Sequence, residues 1–383
     1  MGALLQIVAF GLGALVGSAI TGVIHRLPRG IPLEQSLNPR CPSCGALISW
    51  YQNIPLLSGM LLRGKCASCK VPIDVRYFVV ELLMAFLFVA VFQVFGGSLE
   101  SVAIWVPRVC SWWLFFSFLV AGTFINIEHL IFPHKITMGG ALVGVLCACW
   151  APELVGQNTL FGGLAFSMIA VLTAFFLLWG LVELSDFFWG RIQQRFSEPV
   201  SWTLIKDTDS EAPVFILHLD DEDVVHPWEE IFTRTRNRLV LACPDLTLEN
   251  LSGETVVRKY VTAEIRHNGL TLKKDPEDGG DGERVEWESI KALRGTASSA
   301  SIPREVMGIG LVFFGMMIGA FTGWEGLLFI LISGTVIGAA LHTLPRLFGT
   351  AEWLAKIPVG PPLAAAGTLW VFYGPEWLGR WLH

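Results

Sequence analysis

Four of the eight cysteines in this chain stand in two pairs of identical spacing, Cys41-Pro-Ser-Cys44 and Cys66-Ala-Ser-Cys69. Thiolates three positions apart can aim both sulfurs at one point, and two such knuckles complete the tetrahedron that structural zinc prefers. The 21 residues between the pairs fit a four-thiolate zinc ribbon. Cys41, Cys44, Cys66 and Cys69 are therefore the candidate ligands of one Zn2+. Four thiolates leave no open position for water, so the metal would be structural. Redox chemistry is the alternative use of a Cys-x-x-Cys pair, but such pairs occur singly, beside a βαβ pattern. Cys110, Cys147, Cys149 and Cys243 lie in apolar or strand-like surroundings and suggest no disulfide framework.

The elements that would hold this module are apolar. Hydrophobic residues make up 53% of the 383 positions and charged residues 16%, with a mean hydropathy of +0.56. Soluble chains carry about 25% charged residues. Apolar runs at 3–24, 77–95, 102–125, 136–150, 160–184, 306–321, 327–344 and 359–378 approach bilayer-crossing length. The fold class expected is an all-α polytopic membrane protein of about eight transmembrane helices, with a cytoplasmic zinc-ribbon module and a small β-rich cytoplasmic insert. Its segments are a first span (1–25), the four-cysteine zinc module (26–76), spans two to five (77–189), the acidic insert (190–303) and spans six to eight (304–383). The first run lacks a basic start and ends at His25-Arg26-Leu27-Pro28-Arg29 rather than at a small-residue cleavage site, so it reads as a retained span.

Basic residues of short loops set orientation. Arg26, Arg29, Arg40, Arg63, Lys65, Lys70 and Arg76 against Glu34 and Asp74 place the cysteine module in the cytoplasm and the N-terminus outside. Counting spans forward returns the insert to the cytoplasmic side. Between Arg191 and Ala300 stand 14 Lys+Arg and 21 Asp+Glu, 35 of the 60 charged residues, so the net charge of −6 reflects the insert. No nucleic-acid footprint is present. Segments 214–219, 239–242, 255–265 and 284–287 alternate or are β-branched, with turn signals at Asn268-Gly269 and Gly279-Gly280, which predicts a small antiparallel sheet. The small, polar stretch 295–301 predicts a flexible linker. Trp202, Trp228 and Trp287 are expected to anchor the β core.

Gly17-Ser18, Ile24-His25-Arg26-Leu27-Pro28, the two cysteine knuckles, Asn53-Ile-Pro-Leu-Leu-Ser58, Leu62-Arg63-Gly64-Lys65, Arg76-Tyr77 and Glu81-Leu82 follow one another in an order that resembles the N-terminal region of the type IV prepilin peptidases. These are bifunctional membrane aspartic endopeptidases and N-methyltransferases. The likeness extends to the span arrangement and to Ile357-Pro-Val-Gly-Pro-Pro362, similar to the family's proline-glycine segment; only the insert of about 110 residues falls outside. The resemblance implies prepilins or type II secretion pseudopilins as substrates, S-adenosylmethionine as methyl donor and the bacterial inner membrane as location. No Gly-rich nucleotide loop argues for the methyl donor independently.

Peptide cleavage by this family needs two carboxylates sharing a proton, one activating water and the other protonating the scissile carbonyl. In the family one Asp ends a span, as the first Asp of a pattern resembling Ile-Asp-x-Asp-x-x-x-Ile-Pro-Asp, and the other closes a Gly-x-Gly-Asp. The matching segments here run Ile125-Asn126-Ile127-Glu128-His129-Leu130-Ile131-Phe132-Pro133-His134 and Gly308-Ile309-Gly310-Leu311-Val312-Phe313. Asn126 takes up no proton at neutral pH, Leu311 has no polar side-chain atom, and His134 and Phe313 replace a further Asp and a Lys. No catalytic aspartate is intact, and aspartic peptidase chemistry is expected to be lost or impaired. Glu128 is the possible substitute carboxylate, with Glu305 as its conceivable second. Two other readings fit the same residues: a non-enzymatic pilin or secretion assembly factor, and a methyltransferase-only homologue.

Elsewhere, Arg108 near the end of the third span is expected to snorkel. Glu81 is expected to pair with a basic residue such as Arg76, with a place in a methyl-donor site as the alternative. Glu183 and Asp186 read as solvated interface residues, and His129 and His134 as core or interfacial histidines rather than metal ligands.

Overall fold

The computed structural model describes residues 2–32, 44–47, 55–56, 62, 64–98, 101–206, 213–219, 223–234, 236–250, 255–273, 282–286, 290–347 and 358–381. They form two compact units, Met1–Trp179 with Ile309–His383, and Gly180–Gly308.

The first unit is helical. Along the chain it holds α1 (Gly2–Arg26), α2 (Val75–Phe95), α3 (Val102–His129), α4 (His134–Trp150) and most of α5 (Leu160–Trp189). After a single turn in the second unit, α6 (Trp228–Ile231), come α7 (Gly310–Leu347) and α8 (Gly360–Trp381). Five helices are long and apolar enough to cross a membrane, α1, α2, α3, α5 and α7, while α4 is shorter at 17 residues. Apolar helices already in lipid gain little hydrophobic energy from packing on one another, so they associate where small residues let backbones approach. Gly13 and Gly17 do this for α1 on α2: a methyl at Gly13 would lie 2.6 Å from the Met84 carbonyl, and one at Gly17 2.7 Å from Glu81 Cα. Gly140 and Gly144 repeat the device for α4 on α7, against Met317 at 2.8 Å and Ala320 at 2.7 Å. Between these contacts sits an aromatic core that includes Phe115, Phe116, Phe314 and Phe321.

Eight separate spans are not seen among the described residues. The expected spans at 306–321 and 327–344 correspond to two helical segments of α7 that meet at a kink at Gly323. There φ is 71° and ψ 178°, a conformation that glycine reaches without a side-chain penalty. A single residue thus replaces an expected loop.

The second unit overturns the all-α expectation. Strands β1 (Arg191–Lys206), β2 (Pro213–His218), β3 (Asp223–Pro227), β4 (Arg238–Asn250), β5 (Thr255–Arg266), β6 (Gly269–Lys273), β7 (Glu283–Val285) and β8 (Ile290–Pro303) build one eight-stranded antiparallel sheet. Their order is β3-β2-β1-β8-β4-β5-β6-β7. One face buries Trp202, Phe215, Leu217, Leu239, Leu241, Ile265 and Leu293, and Trp228 packs in the same core; Trp287 lies outside the described residues. The expected linker 295–301 is instead the middle of β8, paired with both β1 and β4. Small residues are needed there because the flanking strands come close: a methyl at Gly295 would sit 2.5 Å from the Asp245 carbonyl, and Ala297 and Ala300 are buried. His267 and Asn268 form the two-residue turn between β5 and β6.

Candidate functional site

Asn126 lies in the last turn of α3, 3% exposed. Its Oδ1 accepts the Gly360 backbone N–H at 2.8 Å. A helix start leaves up to four N–H groups without partners. Here Pro361 and Pro362 have no N–H, and Leu363 donates to the Val359 carbonyl at 3.4 Å, so Asn126 supplies the acceptor for Gly360 at the entry to α8. The fit is close: a methyl on Gly360 would be 3.1 Å from both Asn126 Oδ1 and Thr123 Cα. Beside it the Thr123 hydroxyl is buried and has no hydrogen-bond partner among the described residues.

α3 stops at Leu130, whose φ is 56° and whose N–H returns to the Asn126 carbonyl. The chain then brings Phe132 against the start of α7. Phe132 stacks on Phe314 with ring centroids 4.3 Å apart, and a methyl on Gly310 would be 2.8 Å from the Phe132 carbonyl. His134 meets Phe313 edge-on at 5.0 Å. The segment from Asn126 to His134 therefore lies against the segment from Gly310 to Phe314. Leu311, the residue after Gly310, is half-buried against the aromatic core. The two sites of expected catalytic aspartates present a buried amide and an aliphatic chain.

Glu128 faces elsewhere. Its Oε1 receives Arg76 Nη1, and its Oε2 lies 3.8 Å from His129 Nε2. Arg76 also pairs with Asp74 at 3.1 Å, and Asp74 caps α2 by accepting the Arg76 N–H at 3.0 Å. Glu81 does not use Arg76 as its partner: its carboxylate accepts the Leu56 N–H at 2.8 Å and so holds part of the cysteine module's loop against α2. Arg108 is tied as well, to Glu153 at 2.5 Å. Glu305 belongs to the second unit.

Cys44, Cys66 and Cys69 bring three sulfurs within 4.8 Å of one another; Cys41 lies outside the described residues. A tetrahedral zinc with Zn–S bonds near 2.3 Å puts its sulfurs about 3.8 Å apart, so three converging thiols suit one such ion. The turn is built for this. Lys70 donates its N–H to the Cys66 carbonyl at 3.1 Å from a φ of 61°, and Cys66 donates to Val71 at 2.9 Å. Ile73 closes on Gly64 at 2.7 Å, and a bridge joins Lys65 to Pro72. Cys243, by contrast, is buried in the sheet, where loss of solvent pushes its thiol up to about 12, so it carries no thiolate at neutral pH.

In the second unit, Glu183 and Asp186 are not merely solvated. Arg234 reaches Glu183 at 2.7 Å and Asp186 at 2.9 Å, Arg236 reaches Glu183 at 2.5 Å, and Asp186 accepts the Val306 N–H at 3.2 Å. The Arg-Thr-Arg spacing before β4 was the available sign of this clamp. Glu264, nearly buried, is held by Arg266 at 2.7 Å, Arg238 at 3.2 Å and Lys273 at 3.5 Å.

Residues 12–95 match the model of the bacterial Peptidase A24 N-terminal domain. The chain is similar to the prepilin leader peptidase/N-methyltransferase of Myxococcus xanthus, 42% identical over 150 residues, which are 38% of this chain and 41% of that protein. Proteins of the same name in Vibrio cholerae and Aeromonas hydrophila are 32% and 31% identical, over 44% and 45% of this chain and 67% and 62% of theirs. The matches thus span from two fifths to two thirds of these relatives' lengths. No solved structure matches the chain. On the strength of these likenesses, the chain belongs to the prepilin leader peptidase/N-methyltransferase family.

Proposed function

We propose that this chain engages prepilins or pseudopilins at the cytoplasmic face of the bacterial inner membrane but does not cleave their leaders by aspartic peptidase chemistry. The observation that carries this is the state of Asn126. It is buried and spends its oxygen on the Gly360 N–H, while Leu311 offers no ionisable group. Amide hydrolysis by this route requires a shared proton between two acids. Glu128 is a poor replacement because Arg76 neutralises it.

A zinc ion held by Cys44, Cys66 and Cys69, with Cys41 as the fourth thiolate, would supply folding energy to the loop between α1 and α2 rather than chemistry. Glu81 would fix that loop through Leu56. Methyl transfer from S-adenosylmethionine is the activity of the family that does not depend on the altered aspartate positions.

The test is to incubate the detergent-purified chain with a prepilin peptide, and separately with a processed pilin and labelled methyl donor. Binding without cleavage is expected. Label transfer would favour the methyltransferase-only form, and its absence the assembly factor. Leader cleavage abolished by Glu128→Ala would overturn the proposal.

A further inference from the structure

We infer that one end of the sheet unit is a contact surface for anionic phospholipid headgroups. The unit includes the tail of α5, which ends in three exposed aromatic residues, Phe187 at 81%, Phe188 at 63% and Trp189 at 61% exposure. A Trp at the end of a spanning helix settles in the headgroup region, where its apolar ring and polar N–H are both satisfied, and the Phe rings beside it add apolar surface on the lipid side. β1 starts two residues beyond Trp189, so this end of the sheet lies where the helix leaves that region.

Register identifies which residues share the end. Arg191 opens β1 opposite Pro303, the last residue of β8, and Arg304 follows, its N–H on the Gly190 carbonyl and its Nε on the Trp189 carbonyl at 3.3 Å. Arg238 opens β4 opposite Arg266, the last residue of β5. Arg191 and Arg304 are exposed, and Arg191 has no ion-pair partner among the described residues. Of the acids near this end, Glu183 and Asp186 are taken by Arg234 and Arg236, Glu264 is covered by three cations, Glu305 stands beside Arg304, and the exposed Glu286 follows β7. Arg191 and Arg304 can thus meet a negative surface, each arginine near that surface being attracted by about 1 kcal/mol.

The full chain in detergent, offered equal amounts of phosphatidylglycerol and phosphatidylcholine, can be read by native mass spectrometry for the lipids it retains. Arg191→Gln with Arg304→Gln should lower the preference for phosphatidylglycerol by about fivefold per arginine removed. Arg191→Lys with Arg304→Lys should keep it, which separates lost charge from lost folding. The pair Arg258→Gln and Lys291→Gln, which removes the same charge at other sites on the sheet, should also leave it unchanged. Equal losses in the two glutamine pairs, an unchanged preference in the first pair, or a surface that takes polyglutamate and ignores phosphatidylglycerol would overturn the inference.

Discussion

Asn126 serves the fold through one buried hydrogen bond. Its oxygen meets a buried N–H that Pro361 and Pro362 leave as the donor at the head of α8. Asn126→Ala should therefore destabilise the chain by about 1–3 kcal/mol, the cost of stranding a buried donor, as measured by thermal unfolding in detergent. Asn126→Asp keeps the acceptor and should cost less than the alanine. None of this is visible in sequence, because Asn126 and Gly360 are 234 positions apart. The cysteine knuckles were legible for the opposite reason: their geometry is set within a few residues, and Cys66 and Cys69 converge through one local turn. Replacing Cys69 by Ser should lower bound zinc from about one ion per chain and expose the loop between α1 and α2 to protease, read by elemental analysis and limited digestion. Glu264 gives a pH-dependent counterpart. Burial pushes its carboxyl up, but hydrogen bonds from Arg266 and Arg238 outweigh that and hold it below the ordinary glutamate value. A lowered folded pKa means stability that is complete above the unfolded value and is lost as pH falls through the folded one. Glu264→Gln should accordingly lower stability at neutral pH and narrow its gap to the unaltered chain below about pH 4.

Helices and strands differ in how well their sequences announce them. α1, α2, α3 and α5 follow from long apolar runs, since a helix of that composition has few alternatives in lipid. α7 did not reveal its form, because Thr322-Gly323-Trp324-Glu325-Gly326 reads as a loop while only Gly323 leaves helical geometry. β8 misled more. A run of Gly, Ala, Ser and Thr has little β propensity, and it is ordered by pairing on both sides with β1 and β4, strands far away in the chain. The same packing makes a test at this level. Gly295→Val must displace the Asp245 backbone, and Gly144→Ile must displace Ala320 and Phe321. Each should destabilise its own unit: the first read by proteolysis between Arg191 and Arg304, the second by loss of monodisperse protein in detergent.

The family, its apolar body and its thiol cluster combine into a chain that keeps the framework of a prepilin leader peptidase/N-methyltransferase. Around Asn126 and Leu311 the chain is packed: Phe132 stacks on Phe314, His134 meets Phe313 edge-on, and Asn126 binds α8. A carboxylate at Leu311 would have to be accommodated beside this aromatic core. Rebuilding the acid pair is therefore a demanding change but a decisive one. Leader-peptide turnover should be measured side by side for the unaltered chain, for Asn126→Asp alone, and for Asn126→Asp with Leu311→Asp, each confirmed folded in detergent. No cleavage is expected from the first two and measurable cleavage only when both aspartates are present; cleavage by the unaltered chain would contradict the proposed loss of peptidase chemistry.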